Sequence, residues 1–166
     1  MPERGRARWT PWLFVSAGVV IVDQIIKHLM QQSISPAQSV RVTPFFDLVL
    51  VYNPGAAFSF LSTASGWQRE FFIGVALVAS VLMLYLLRKH AGDRWFCLAL
   101  SLILGGALGN VLDRFLFGAV VDFLHFHVGR YYWPAFNLAD SAITCGAGLL
   151  IWDSLRRSRA RTGNTG

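Results

Sequence analysis

Four long apolar stretches divide the chain, at about residues 11–30, 70–87, 95–112 and 134–152. Each approaches the roughly 20 residues that a helix needs to cross the hydrocarbon core of a bilayer. The pattern therefore predicts an all-α membrane bundle of four transmembrane helices. We treat residues 1–166 as a single integral membrane domain with two more polar insertions, at residues 31–69 and 113–133.

The two insertions carry β-prone patterns. Residues 40–52 are rich in Val, Phe and Leu and partly alternate, which predicts one or two strands interrupted at Pro44. A turn signal, Asn53-Pro54-Gly55, follows, and residues 56–61 then predict a short apolar helix or loop on the membrane surface. Residues 120–133 are also β-prone and aromatic. Outside the bundle we therefore expect a small β-cradle and a short surface helix.

Composition supports a membrane protein. Apolar residues make up 54% of the chain and charged residues only 14%, whereas a soluble domain carries roughly 25% charge. Ten of the 15 Lys and Arg residues lie in the N-terminal tail, the link between the second and third spans, and the C-terminal tail. These ten are Arg4, Arg6, Arg8, Arg88, Lys89, Arg94, Arg156, Arg157, Arg159 and Arg161.

With four spans, these three basic segments fall on one side of the membrane. The positive-inside rule makes that side cytoplasmic, so both termini are predicted to be cytoplasmic. The net charge of +6 is then a signal of topology, and we predict contact with membrane phospholipid and no nucleic-acid partner. The first span carries Asp23 and Lys27 and lacks a small-residue cleavage site, so we interpret it as a retained span and not as a secretory signal peptide.

Ionisable groups inside a membrane are costly and are therefore functional candidates. Asp23 lies about 18 Å along an outward-running helix, and Asp113 ends the third span. Asp122 follows in the second insertion, and Asp140 lies six residues into the returning fourth span. The four carboxylates thus converge on the outer leaflet, where further polar residues share their level. These are Asn53, Asn110, Arg114 and Asn137.

Helical spacing groups these residues into faces. Asn137, Asp140 and Ser141 fall at i, i+3 and i+4, and Asn110 shares a face with Asp113 and Arg114 in the same way. Such polar faces are expected to point into the bundle and away from lipid.

Several of these features also have structural interpretations. Asp23 and Lys27, at i and i+4, could simply neutralise each other, and Asp113 with Arg114 could only anchor the end of a helix. Gly105-x-x-x-Gly109 is a spacing that favours close helix packing.

Two further interpretations concern polar residues of the insertions. Asp47, on a β-prone segment, is expected to be solvated. His125 and His127 share a face of a predicted strand, but no third ligand has suitable spacing. We therefore predict no metal and no cofactor.

Asp122 and Asp140 together could perform acid–base chemistry. Two close carboxylates in a low dielectric share one proton, so that one accepts a proton from water while the other donates to a carbonyl or leaving group. This is the arrangement of an aspartic protease. The spacing alone does not separate a protease from a proton-coupled transporter or a membrane scaffold, although a transporter would favour groups near the midplane and inverted repeats.

Five sequence blocks resemble those of the lipoprotein signal peptidases, also called signal peptidase II. They are Asp23-Gln24 with Lys27, residues 53–58 (NPGAAF), residues 105–114 (GGALGNVLDR), residues 120–123 (VVDF) and residues 136–141 (FNLADS). Their order and their placement against the four spans are similar to those of the family over about residues 11–155.

The resemblance implies an intramembrane aspartyl endopeptidase of the bacterial cytoplasmic membrane. Such an enzyme cleaves the signal peptide from diacylglyceryl-modified prolipoproteins, just before the lipidated cysteine, at the periplasmic leaflet. By motif match, Asp122 and Asp140 would be catalytic, and we expect a monomer. Substrate-binding and supporting roles would fall to the remaining motif residues, which are Asp23, Lys27, Asn53, Gly55, Asn110, Asp113, Arg114, Asn137, Ala139 and Ser141.

Overall fold

Helices and strands follow one another in the order that the apolar pattern predicts. The computed structural model describes residues 8–36, 38–55 and 67–162, and within these ranges it contains four helices and four strands. The helices are α1 (Thr10–Ser33), α2 (Gln68–Lys89), α3 (Arg94–Phe117) and α4 (Leu138–Thr162). The strands are β1 (Ser39–Thr43), β2 (Phe46–Asn53), β3 (Val120–Val128) and β4 (Tyr131–Tyr132).

Helix α3 is the centre of the bundle, because α1, α2 and α4 all pack against it. Its glycines allow the close approach. A Cβ atom added at Gly105 would lie 2.7 Å from the backbone oxygen of Ser16 in α1, and one at Gly106 would lie 2.3 Å from that of Ala139 in α4. The predicted role in helix packing is thus confirmed for Gly105, while Gly106 lies outside the predicted spacing and Gly109 faces Asp23 Oδ2 at 2.8 Å.

One end of the bundle gathers the basic segments. Trp12 of α1 packs against the apolar cluster that contains Leu87 of α2 and Cys97 of α3. Arg157 near the end of α4 forms an ion pair with Asp93, the N-cap residue of α3. The start of α1, the link between α2 and α3, and the end of α4 therefore lie together.

The opposite end carries an antiparallel sheet of order β1-β2-β3-β4. The expected interruption at Pro44 is the turn between β1 and β2. β3 begins soon after α3 because Gly118, with φ of 77°, ends that helix in the left-handed conformation. Ile34, Leu50 and Val121 form the apolar cluster at this end, which joins the segment after α1 to β2 and β3.

Helix α4 begins four residues later than the sequence pattern predicts. The chain before it continues the sheet, since the Phe136 N–H donates to the Leu124 oxygen at 3.0 Å and the Phe136 oxygen accepts from the Leu124 N–H at 2.8 Å. Asp140 therefore lies in the first turn of α4 and not six residues into a span.

Among the described residues, α1, α2 and α3 are long and apolar enough to cross a membrane. Helix α4 is less apolar, because Asp140, Asp153 and an Arg-rich end interrupt its sequence. The predicted surface helix at residues 56–61 lies outside the described residues.

The expectation that Asp47 is solvated is wrong. Its exposed fraction is 7%, because β2 is flanked by β1 and β3, which place Arg41 and His125 opposite it. Its Oδ2 lies 3.4 Å from Nε2 of His127, which is also buried. A charged side chain on a strand with neighbours on both sides is thus covered by the sheet itself.

We predict that Gly106→Ala destabilises the fold. The added Cβ would meet the Ala139 backbone oxygen at 2.3 Å, and backbone cannot move aside cheaply, so a loss of about 1–3 kcal/mol is expected. Thermal unfolding in detergent measures it. Gly148→Ala on α4 is the matched control, because nothing lies within 4 Å of its added Cβ. Equal melting temperatures for the two variants would contradict this account of the α3–α4 contact.

Candidate active site

Asp122 and Asp140 line one cavity of about 560 Å³. Asp122 is the third residue of β3, and Asp140 is the third residue of α4. Further lining residues include Asn53, Gly55, Asn110, Arg114, Phe136 and Ser141. The structure thus brings together two carboxylates that are 18 positions apart in the sequence.

Asn137 joins the two carboxylates and is fully buried. Its Nδ2 donates to Asp122 Oδ1 at 2.8 Å. Its Oδ1 accepts from the Asp140 N–H at 2.9 Å, while its own N–H donates to Asp140 Oδ2 at 3.3 Å. This reciprocal pair is a capping box at the start of α4, so the element that begins the helix also orients Asp140.

Two more asparagines donate to the remaining carboxylate oxygens. Asn110 Nδ2 donates to Asp140 Oδ1 at 2.8 Å, and Asn53 Nδ2 donates to Asp122 Oδ2 at 3.2 Å. Lys27 and Asn137 both donate to Asn110 Oδ1, at 3.1 and 3.2 Å, so the orientation of that amide is set. All four carboxylate oxygens of Asp122 and Asp140 are therefore held by neutral donors.

The surroundings of Asp122 favour its protonated form. Burial raises the pKa of this carboxyl and the neighbouring charge of Asp140 raises it further, while hydrogen bonds from Asn53 and Asn137 lower it; the resulting pKa is about 7. A carboxyl group with such a pKa holds a proton close to neutral pH. The pair can therefore contain one acid and one base at the same time.

Arg114 supplies a cation at the wall of the cavity. Its Nη2 donates to the Gly55 oxygen at 2.9 Å and its Nη1 donates to the Asn110 oxygen at 3.3 Å. The guanidinium carbon lies 5.0 Å from the ring centroid of Phe72 on α2. Its buried Nε has no hydrogen-bond partner within the described part of the chain.

Three of the predicted supporting residues lie beneath the cavity. Lys27 Nζ pairs with Asp23 Oδ2 at 2.8 Å and with Asp113 Oδ2 at 2.7 Å, and all three side chains are essentially inaccessible. The interpretation that Asp23 and Lys27 only neutralise each other is therefore incomplete. Asp113 does not act with Arg114 as an anchor at the helix end, because it turns inward to Lys27.

The last two predicted residues belong to the start of α4. Ala139 is fully buried, and its N–H donates to Asp23 Oδ1 at 2.9 Å. The Ser141 hydroxyl donates to the Asn137 oxygen at 3.0 Å. Both residues support the turn that carries Asp140.

Sequence reasoning did not assign roles to Gln24 and Phe72. Gln24 Nε2 donates to Asp113 Oδ1 at 2.8 Å, and its place beside Asp23 in a matched block was the available signal. Phe72 is one of many aromatic residues in apolar segments, and nothing in its sequence context marks it as the residue beneath Arg114.

Comparison with known protein families gives a match to the model described as signal peptidase (SPase) II, over residues 15–156. Relatives named lipoprotein signal peptidase are similar over most of the chain. The protein from Paraburkholderia phymatum is 56% identical over 90% of both chains. That from Cupriavidus taiwanensis is 57% identical, over 89% of this chain and 84% of its own.

Solved structures show the same fold. One, described as a bacterial membrane enzyme determined by the in meso method at 2.3 Å, superposes with a TM-score of 0.80 at 32% identity and covers 90% of both chains. A second, determined at 1.9 Å, gives a TM-score of 0.77 at 34% identity, over 88% of this chain and 93% of its own.

We predict that Asp122 loses its proton as the pH rises through about 7, the value to which its surroundings raise the pKa. Infrared difference spectroscopy would record the loss of a carboxylic acid C=O band over this range. Asn53→Ala should move the midpoint upward, because it removes a hydrogen bond that favours the charged form. Asp153→Asn, at the other end of α4, should leave it unchanged. A band with the same midpoint in Asp122→Asn would contradict the assignment.

Proposed function

The chain belongs to the signal peptidase II family, and from this premise we propose that Asp122 and Asp140 are its catalytic pair. As a lipoprotein signal peptidase it is an aspartic peptidase that cleaves signal peptides from prolipoproteins, and it is a multi-pass membrane protein. The observation that supports this assignment best is that both aspartates line one cavity and are both hydrogen-bonded to the buried Asn137.

The pair would act without a covalent intermediate. The ionised carboxylate takes a proton from a water molecule as the water oxygen bonds to the scissile carbonyl carbon, and the protonated carboxyl donates to the carbonyl oxygen. The resulting gem-diol intermediate collapses when the C–N bond breaks. The carboxylate that is now ionised takes a proton from one hydroxyl as the C=O bond re-forms, and the other carboxyl donates its proton to the leaving nitrogen, so the pair again holds one proton. The products are a free carboxylate on the signal peptide and a free amine on the mature protein.

Three side chains would orient the carboxylates and the substrate for this reaction, namely those of Asn110, Asn137 and Arg114. The two amides fix the carboxylate rotamers through bonds of 2.8 Å to Asp140 and Asp122. Arg114 is already bonded to the Gly55 oxygen, and its remaining N–H groups could donate to substrate carbonyls. Asn53, Gly55 and Ser141 complete the wall of the substrate cavity.

We place the cavity at the periplasmic leaflet of the bacterial inner membrane, with α4 as the fourth span. The basic ends of α2, α3 and α4 lie together, opposite the sheet and the aspartates, which fits the positive-inside rule. Both termini would then be cytoplasmic, and the sheet would form the periplasmic cradle. The surface helix at residues 56–61 stays a prediction.

This location fits a substrate whose scissile bond lies beside a lipid. A diacylglyceryl group on the cysteine after that bond stays in the outer leaflet, so the cleaving groups must lie at the same level. Trp133, Phe136 and Ile143 give the cavity an apolar wall. We expect a monomer to be the working unit, since Asp122, Asp140 and Asn137 contact one another within a single chain.

Asp122→Asn and Asp140→Asn should each lower kcat by at least about 10³-fold, because an amide cannot exchange the proton that the reaction needs. Cleavage of a synthetic prolipoprotein, with and without diacylglycerol on its cysteine, measures this in detergent. Only the lipid-bearing peptide should be cut by the wild type.

Asp47→Asn is the matched control, because Asp47 is another buried carboxylate but does not line the cavity. It should retain cleavage. Substantial cleavage by a folded Asp122→Asn or Asp140→Asn enzyme would remove that residue from the catalytic pair.

The rate should also fall as the pH rises through about 7, where Asp122 loses its proton. Above that value Asp122 can no longer donate a proton to the scissile carbonyl, so kcat/KM should drop by about tenfold per pH unit. In Asn53→Ala, the pH at which kcat/KM begins to fall should move upward together with the midpoint of the infrared band. A rate that rises across the same range would exclude the protonated Asp122 as the acid.

A further inference from the structure

Asp23, Lys27 and Asp113 form a buried ionic cluster, here called the brace. Lys27 and Asp23 lie on α1 and Asp113 lies on α3. The exposed fractions are 0% for each carboxylate and 2% for the lysine, and none of the three lines the cavity. The side chains of the brace therefore cannot contact a substrate bound in the cavity, although two of them are carboxylates like those of Asp122 and Asp140.

Each carboxylate of the brace holds the backbone just before an active aspartate. Asp113 Oδ2 accepts from the Val121 N–H at 3.0 Å, one residue before Asp122. Asp23 Oδ1 accepts from the Ala139 N–H at 2.9 Å, one residue before Asp140. Two separate elements, a strand and a helix, are thus tied to the brace at equivalent positions.

Lys27 connects the two carboxylates that accept these backbone hydrogen bonds. Its ammonium lies 2.8 Å from Asp23 Oδ2 and 2.7 Å from Asp113 Oδ2. Its third bond, of 3.1 Å, goes to Asn110 Oδ1, and Asn110 in turn donates to Asp140. All three donors of the ammonium are used, and each leads within a few bonds to an active aspartate.

We propose that the brace sets the separation and orientation of Asp122 and Asp140, and that Asp23, Lys27 and Asp113 are positioning residues for peptide hydrolysis. This inference rests on the proposed function, in which Asp122 and Asp140 are the catalytic pair. Changes in the brace should therefore lower kcat while KM, which reports contacts made in the cavity, changes little.

The two carboxylates of the brace differ in a way that gives a matched test. Asp113 uses the same oxygen, Oδ2, for Lys27 and for the Val121 N–H. An asparagine there can keep both contacts with its one carbonyl oxygen if the Gln24 amide turns over. That turn gives up only the longer bonds of Gln24, of 3.3 Å each, to Asp23 Oδ2 and the Gly109 oxygen. Asp23 uses Oδ2 for Lys27 and Oδ1 for the Ala139 N–H, so an asparagine there must give up one contact.

Asp23→Asn and Asp113→Asn are equal in charge and nearly equal in volume. We expect Asp23→Asn to lower kcat by about 10²-fold, the cost of a misplacement of about 1 Å, and Asp113→Asn to lower it by less than about tenfold. Equal losses in both variants, no loss in either, or a rise in KM at constant kcat would each overturn the proposal.

A second variant tests the contact between Asp23 and the Ala139 N–H without removing a charge. A Cβ added at Gly109 would lie 2.8 Å from Asp23 Oδ2, so Gly109→Ala should displace that carboxylate and lower kcat with little change in KM. If Asp23→Asn does not accumulate in membranes, Gly109→Ala decides the question. Wild-type kcat in a folded Gly109→Ala enzyme would argue against the brace.

Asp153→Asn separates positioning from general stability. Asp153 is as buried as the brace, at 2% exposure, and pairs with Arg156 and Arg157, but it lies about 20 Å along α4 from Asp140. It should lower the melting temperature and leave kcat unchanged. A fall in kcat that tracks the melting temperature across all variants would mean a structural role only.

Asp122→Asn and Asp140→Asn, assayed in the same membranes, keep the two hypotheses apart. Cleavage by either would refute the proposed catalytic pair, whatever the brace variants show. Inactive Asp122→Asn and Asp140→Asn together with a fully active Asp23→Asn would refute the brace alone.

Discussion

The arrangement of this protein depends on the need to compensate charge inside an apolar bundle. An ionised group away from water is costly unless opposite charge and hydrogen bonds surround it. Lys27 meets this need for Asp23 and Asp113 with contacts of 2.8 and 2.7 Å. The contact with Asp113 joins α1 to α3. Since both carboxylates also accept backbone N–H groups, the same compensation positions the starts of β3 and α4.

Such a network requires helices that approach closely. The glycines of α3 permit this, because Gly105 faces the α1 backbone and Gly106 faces that of α4 at distances that no side chain would allow. Gly109, one turn further, leaves room for the Asp23 carboxylate itself. Packing and charge compensation are therefore parts of one interface, and a larger residue in this row would disturb both the bundle and the site.

Much of the fold and of the site can be predicted from the sequence, because the length of the apolar stretches and the alternation of apolar and polar residues are its strongest signals. Apolar length predicted the helices, and alternation with turn residues predicted the strands around Pro44. The convergence of Asp122 and Asp140 follows from the topology.

Other features cannot be predicted in this way. The predicted start of α4 is too early because Phe136 is apolar whether it pairs with a strand or enters a helix. The burial of Asp47 depends on strand order, and the position of Phe72 beneath Arg114 depends on the rotation of α2, neither of which the pattern encodes.

The two active carboxylates are chemically alike, and the fold makes them unequal. Asp140 lies in the first turn of α4, where its Oδ2 accepts a hydrogen bond from the Asn137 N–H. Asp122 lies on a strand, where burial and the neighbouring charge of Asp140 raise its pKa to about 7. A single proton shared between them is therefore better placed on Asp122 before substrate binds. The asymmetry arises from a strand and a helix meeting at one asparagine, so the division between acid and base is a consequence of secondary structure as much as of local hydrogen bonds.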